Sequence, residues 1–148
     1  MRRLSLALAL CAALALPAHA AFMPPPVPQG PFTAYTPSFS CPSGSLTAAT
    51  ATGGYQVVGK VVFWQATVTI TTNGTCAIAL NVGLPPGRPV ATARAYTAFG
   101  RENAKTGAAL QAYTPAGAAF ASVTLASNNA YAGQDGAVFY LSGFYEAQ

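Results

Sequence analysis

The sequence predicts an all-β fold, either an antiparallel β-sandwich of jelly-roll-like character or a small barrel, in a single domain. Three observations predict it. Residues 62–70 alternate strictly, with Val62, Trp64, Ala66, Val68 and Ile70 on one side and Phe63, Gln65, Thr67 and Thr69 on the other, the period-two pattern of a half-buried strand. Short runs of similar character recur between turn signals such as Gly53-Gly54, Leu84-Pro85-Pro86-Gly87 and Asn128-Asn129, and no stretch shows helical periodicity. A chain of 148 residues is long enough for one real core and in the usual range for one domain.

Taken in order, residues 1–20 read as a secretory signal peptide. Arg2 and Arg3 form the positive start, residues 4–16 the apolar stretch, and Ala18-His19-Ala20 a small-x-small cleavage site behind Pro17. The apolar stretch is well short of the ~20 residues that span a bilayer, and no later run is longer, so no membrane span is expected. Cys11 raises a lipoprotein alternative, but Leu10 occupies the position where that processing needs a small residue. The Ala/Leu-rich style is bacterial, and the expected location is the periplasm or the exterior. Residues 21–37, with Pro24-Pro25-Pro26, read as a proline-rich extended arm that stays off the core, and residues 38–148 as the β domain. Strands are expected near 45–50, 55–58, 62–70, 76–82, 91–99, 110–113, 119–125 and 137–144.

Parity constrains the turn after the 62–70 strand. A two-residue loop at Asn73-Gly74 would turn Ile78 and Leu80 away from the Trp64 face. A three-residue loop, Thr72-Asn73-Gly74 with Gly74 left-handed in a bulge, pairs Ile70 with Cys76 and Val68 with Ile78 and keeps the apolar faces together. This loop is the expectation, with Cys76 facing the core. Cys41 and Cys76 are the two cysteines left after cleavage, and an even pair in an exported chain reads as a disulfide.

Cleavage also removes His19, the one histidine. What remains is Lys60, Arg88, Arg94, Arg101 and Lys105 against Glu102, Asp135 and Glu146, a net charge of +2 with no cationic cluster, so no nucleic-acid partner is expected. General-base chemistry has no histidine to use, and the three carboxylates are scattered. No enzymatic activity, catalytic residue, metal or cofactor is expected. A hydrolase would need Glu102, Asp135 and Glu146 at carboxylate-pair distance. Loop 128–136 is rich in side-chain oxygen, but one carboxylate is little charge for calcium, and a plain turn is the favoured reading.

Tyr35-Thr36-Pro37-Ser38, Thr52-Gly53-Gly54-Tyr55-Gln56-Val57-Val58-Gly59-Lys60-Val61-Val62-Phe63, Leu84-Pro85, Gly100-Arg101-Glu102 and Tyr140-Leu141-Ser142-Gly143-Phe144-Tyr145-Glu146 follow one another in an order that resembles a C-terminal β-rich module of phage and prophage tail-fibre and tail-associated proteins. The resemblance covers nearly the whole mature chain. It implies a β-sandwich that displays a surface or trimerises, without enzymatic activity, here recruited for export.

Charged residues make up 7% of the chain and hydrophobic ones 52%, so the surface is weakly protected against association. In the last strand Phe139 and Leu141 fall on one face and Val138, Tyr140 and Phe144 on the other. Either a partner subunit or the domain itself covers that second face, and Tyr140 and Phe144 are the candidate oligomer contact. Phe63 and Tyr96 are placed on outer faces with Arg94 beside Tyr96, a candidate surface for stacking on a glycan. Two functional readings stand: an exported, oligomeric structural or adhesive protein, and a monomeric module that binds a glycan or another ligand.

Overall fold

The structure, a computed structural model, describes residues 30–148. The signal-peptide reading, and the arm as far as residue 29, lie outside the described residues. Nine strands follow in chain order: β1 (Thr33–Tyr35), β2 (Phe39–Ser40), β3 (Ala48–Val58), β4 (Val61–Thr72), β5 (Leu80–Gly83), β6 (Tyr96–Glu102), β7 (Ala109–Thr114), β8 (Phe120–Leu125) and β9 (Val138–Glu146). Among the described residues there is no helix. All nine strands join one antiparallel sheet in the order β1-β3-β4-β9-β6-β7-β8-β5-β2.

This order forces the sheet to curl. Its two edges, β1 and β2, are joined by Thr36, Pro37 and Ser38 alone, so Tyr35 and Phe39 lie at most about 15 Å apart. A flat nine-stranded sheet would hold its edges roughly 38 Å apart. The seam is drawn together further by the Tyr35 hydroxyl, which donates to the Gly83 carbonyl at 3.4 Å, and by the Gly83 N–H, which donates to the Ser38 carbonyl at 2.7 Å. The expected all-β single domain is what forms, and its one curled sheet, a half-barrel, is nearer the small barrel than two stacked sheets.

The core fills the hollow of the curl. Val62, Trp64, Ala66, Val68 and Ile70 of β4 are all buried, as their alternation requires, and meet Phe139, Leu141 and Tyr145 of β9 with Leu80, Leu110 and Val123 from the far half of the sheet. The buried Tyr145 hydroxyl donates to the Arg88 carbonyl at 2.8 Å, which satisfies its polar end.

Several sequence expectations are corrected. The arm joins the sheet, since Thr33, Ala34 and Tyr35 pair with Tyr55, Gly54 and Gly53. Gly53-Gly54 is therefore no turn but the middle of β3, which merges the strands expected at 45–50 and 55–58. A Cβ on Gly53 would stand 2.6 Å from the Tyr35 ring, so glycine is there to let β1 lie close. The hairpin after β4 does not form. β4 is already flanked by β3 and β9, so residues 76–82 find no free edge beside it. Gly74 is left-handed as expected, with φ 65°, but the chain turns across the end of the sheet, where Thr75 and Ala77 donate to the Ser45 and Ser43 carbonyls. Cys76 does face inward, and the disulfide to Cys41 fastens this crossover. Ile78 leaves the expected alternation altogether. It sits at φ 74° in a three-residue turn closed by Ala79 N–H to Ala77 carbonyl at 3.0 Å and is 63% exposed, a strained position for a β-branched residue. The strand expected at 91–99 begins at Tyr96 and runs on to Glu102.

Candidate ligand groove on the outer face

The side chains that alternate away from the core make the outer face of the sheet, and the register arranges them in rows. One row runs Thr52, Thr67, Tyr140 and Arg101 across β3, β4, β9 and β6, and the next runs Ala34, Gly54, Gln65, Ser142 and Phe99 from β1 to β6. Short side chains on β1, β3, β4 and β9 leave a depression between Phe32 before β1 and the larger Tyr140, Phe99 and Arg101 on β9 and β6. Ala34, Thr52, Gly54 and Ser142 floor a groove of about 830 Å3, and Phe32 walls one side while Phe99, Arg101 and Tyr140 wall the other. The Phe32 ring lies over Gly54, where an added Cβ would stand 3.3 Å from Cδ1.

The groove holds three well-exposed rings, Phe99 at 70% and Phe32 and Tyr140 at 49% each. Between them lie hydroxyls of Thr52, Thr67 and Ser142, the Gln65 amide and the Arg101 guanidinium, with no carboxylate in the lining among the described residues. Apolar ring faces beside convergent hydrogen-bonding groups suit a ligand that is itself two-faced, with C–H surface to stack and hydroxyls to pair. Phe63 and Phe144 extend the aromatic surface along the same face, with ring centroids 6.1 Å apart.

The structure does not bring Phe63, Arg94 and Tyr96 together. Phe63 is outward and exposed, as expected, but Tyr96 shares the inward side of β6 with buried Ala98 and packs against the core, and Arg94 is exposed in the loop ahead of β6. The error is one of parity: a strand beginning at 91 hides that Phe99 and Arg101 are the outward pair. Tyr140 and Phe144 are both exposed on the outer face. β9 is a central strand, yet nothing within the described chain covers that face.

Glu102 has a different role from any the sequence indicated. It is fully buried at the inward end of β6, and its carboxylate accepts from the N–H groups of Ala104 (2.8 Å), Lys105 (3.0 Å), Thr106, Gly107 (3.3 Å) and Val138 (3.2 Å) and from the Thr106 hydroxyl (2.9 Å). Burial alone would raise its pKa, but these bonds, chiefly those from Thr106, Ala104 and Val138, favour the charged form and hold it at about 2. Glu102 thus knots the β6–β7 loop. Its partner in register is Phe139, seven residues up β9 from Glu146, so the two glutamates are roughly 24 Å apart along the strand and make no carboxylate pair.

Several side-chain oxygens of loop 128–136 bond within the chain. Asn128 Oδ1 accepts from Ala130 N–H at 3.0 Å, Asp135 Oδ1 accepts from Asn73 N–H at 2.7 Å, and the Tyr131 hydroxyl donates to Asn73 Oδ1. Among the described residues no three His, Cys, Asp or Glu side chains converge on a metal position, and no helix is long and apolar enough to cross a membrane. In comparisons with known proteins, no family model, no curated protein and no solved structure matches this chain.

Proposed function

We propose that this chain is an exported, non-catalytic binding module that takes a saccharide chain into the outer-face groove and serves adhesion at a bacterial surface or in the periplasm. The observation that carries the reading is the groove itself, with Phe32, Phe99 and Tyr140 exposed beside hydroxyl, amide and guanidinium groups. The signal-peptide pattern of residues 1–20 and the disulfide both fit an oxidising compartment. The resemblance to tail-associated β-modules supports display of a surface without catalysis.

The test is a glycan array probed with full-length protein recovered from the periplasm, followed by calorimetry on the best ligand. Phe99→Ala and Tyr140→Ala are each expected to weaken binding about tenfold, roughly 1.4 kcal/mol, with an unchanged melting temperature. Saturable binding that both variants leave intact would refute the groove as the site, and silence across the array would refute the saccharide reading.

A second reading has its own support, because Phe63, Phe99, Tyr113, Phe120, Tyr140 and Phe144 are all exposed on one face. Apolar area of this kind suits burial against further copies of the chain, as in the trimer that the tail-module resemblance implies. Native mass spectrometry on the same sample separates the two. A monomer supports the open groove, and a trimer dissociated by Tyr140→Lys or Phe144→Lys supports the interface.

A further inference from the structure

We infer that the saccharide taken up by the groove is anionic, a chain carrying carboxylate or sulfate groups that pair with Arg101. This rests on the saccharide reading of the groove. Among the described residues, Arg101 is the one charged residue in the lining, and no aspartate or glutamate accompanies it there. The nearest carboxylate in sequence, Glu102, points to the opposite face of the sheet, where backbone and hydroxyl donors hold its charge. Arg101 is exposed at the groove wall, and a neutral sugar that covers part of its guanidinium would displace water without supplying a counter-charge. An acid group supplies the match, because the planar guanidinium presents paired N–H donors to two oxygens at once.

The position of Arg101 also fits a two-point contact. It stands two residues from Phe99 on the same face of β6, roughly 7 Å away, so a sugar ring stacked on Phe99 brings an acid group on that ring or the next within reach of the guanidinium. Its cross-strand neighbour on β9 is Tyr140, the second stacking ring. On its other side the guanidinium lies along Gly107, where an added Cβ would stand 3.2 Å from Nη2. The β6–β7 loop that Glu102 knots therefore leaves room for the arginine at the groove wall.

The experiment uses the full chain from the periplasm and two probes, a glycan array holding carboxylated, sulfated and neutral chains, and a matched pair, an oligouronate and its methyl ester. The expected result is enrichment of acidic chains on the array and at least tenfold tighter binding of the acid than of the ester at low salt, shrinking as salt rises. Arg101→Gln should abolish that preference, while Phe99→Ala weakens acid and ester alike. Saccharide binding with no preference for acidic chains would overturn the anionic assignment and leave the saccharide reading standing. A preference that survives in Arg101→Gln would also overturn it, and failure to bind any chain would overturn both.

Discussion

At the scale of single residues, Glu102 shows how a carboxylate in a weakly charged chain can serve structure. Its donors are backbone groups and the Thr106 hydroxyl of a tight loop together with the N–H of Val138 in β9, so one side chain ties the β6–β7 turn to the start of the last strand. The charged form is the one stabilised, and this sets the sign of the pH dependence. Its pKa is held at about 2 against an ordinary 4.5, so the unfolded chain takes up the proton first and the stabilisation, complete above pH 4.5, is lost as pH falls toward 2. Glu102→Gln should cost about 3 kcal/mol at neutral pH, because several buried donors lose an ionised acceptor. Urea unfolding measured from pH 7 to pH 2 checks both statements: the parent should weaken across the acid window, and the variant should show less of that dependence. Equal slopes would show that other groups govern acid stability. No spacing in the sequence revealed this role, since it depends on loop geometry within five residues and on a strand 36 residues away.

At the scale of elements, the strands themselves were largely legible and their partners were not. Period-two alternation placed β4 within one or two residues and put Val62, Trp64, Val68 and Ile70 on the buried side, and turn signals bounded β7, β8 and β9 as closely. The turn after β4 failed because a hairpin was assumed where the chain instead crosses to the other half of the sheet. A glycine in the left-handed region reverses a chain locally but does not choose which edge the next strand reaches. The disulfide belongs to this scale as well. Cys41 follows the edge strand β2 and Cys76 lies on the crossover between β4 and β5, so the bond, closing a separation of 35 residues, holds both against the sheet. Replacing both cysteines by serine should lower stability by about 4 kcal/mol on chain-entropy grounds. Hydrogen exchange should show protection lost first at β2 and β5, and a melting temperature insensitive to reductant would contradict this role.

At the scale of the whole molecule, closure of the curl is the feature that both completes the core and shapes the groove. β1 contributes Tyr35 to the seam with Gly83 and Ala34 to the groove, with Phe32 just before it, so the seam and the groove share one short strand. Gly53→Val should separate β1 from β3, since a Cβ there would lie 2.6 Å from the Tyr35 ring and 2.9 Å from the Gln65 carbonyl oxygen. The expected cost is about 2 kcal/mol with faster proteolysis ahead of β2, after Phe32 and Tyr35, and weaker saccharide binding, read by thermal melting, limited chymotrypsin digestion and calorimetry. A variant as protease-resistant as the parent would show that β1 does not need the bare glycine.

What the sequence by itself determined was local: an all-β chain in one domain, the inward and outward sides of its longest strands, and Cys41 and Cys76 as the cysteine pair. Each of these follows from side-chain alternation, turn residues or a small inventory, and none needs a distant partner. Strand order, the entry of the arm into the sheet and the groove itself were decided only in the tertiary structure. Backbone hydrogen bonds are the same for every strand, so the choice of neighbour is made by which combination buries the common apolar face and closes the sheet. Phe32, the Phe99 and Arg101 pair, and Tyr140 come from distant parts of the chain and became the walls of one groove because β1, β3, β4, β9 and β6 were placed side by side.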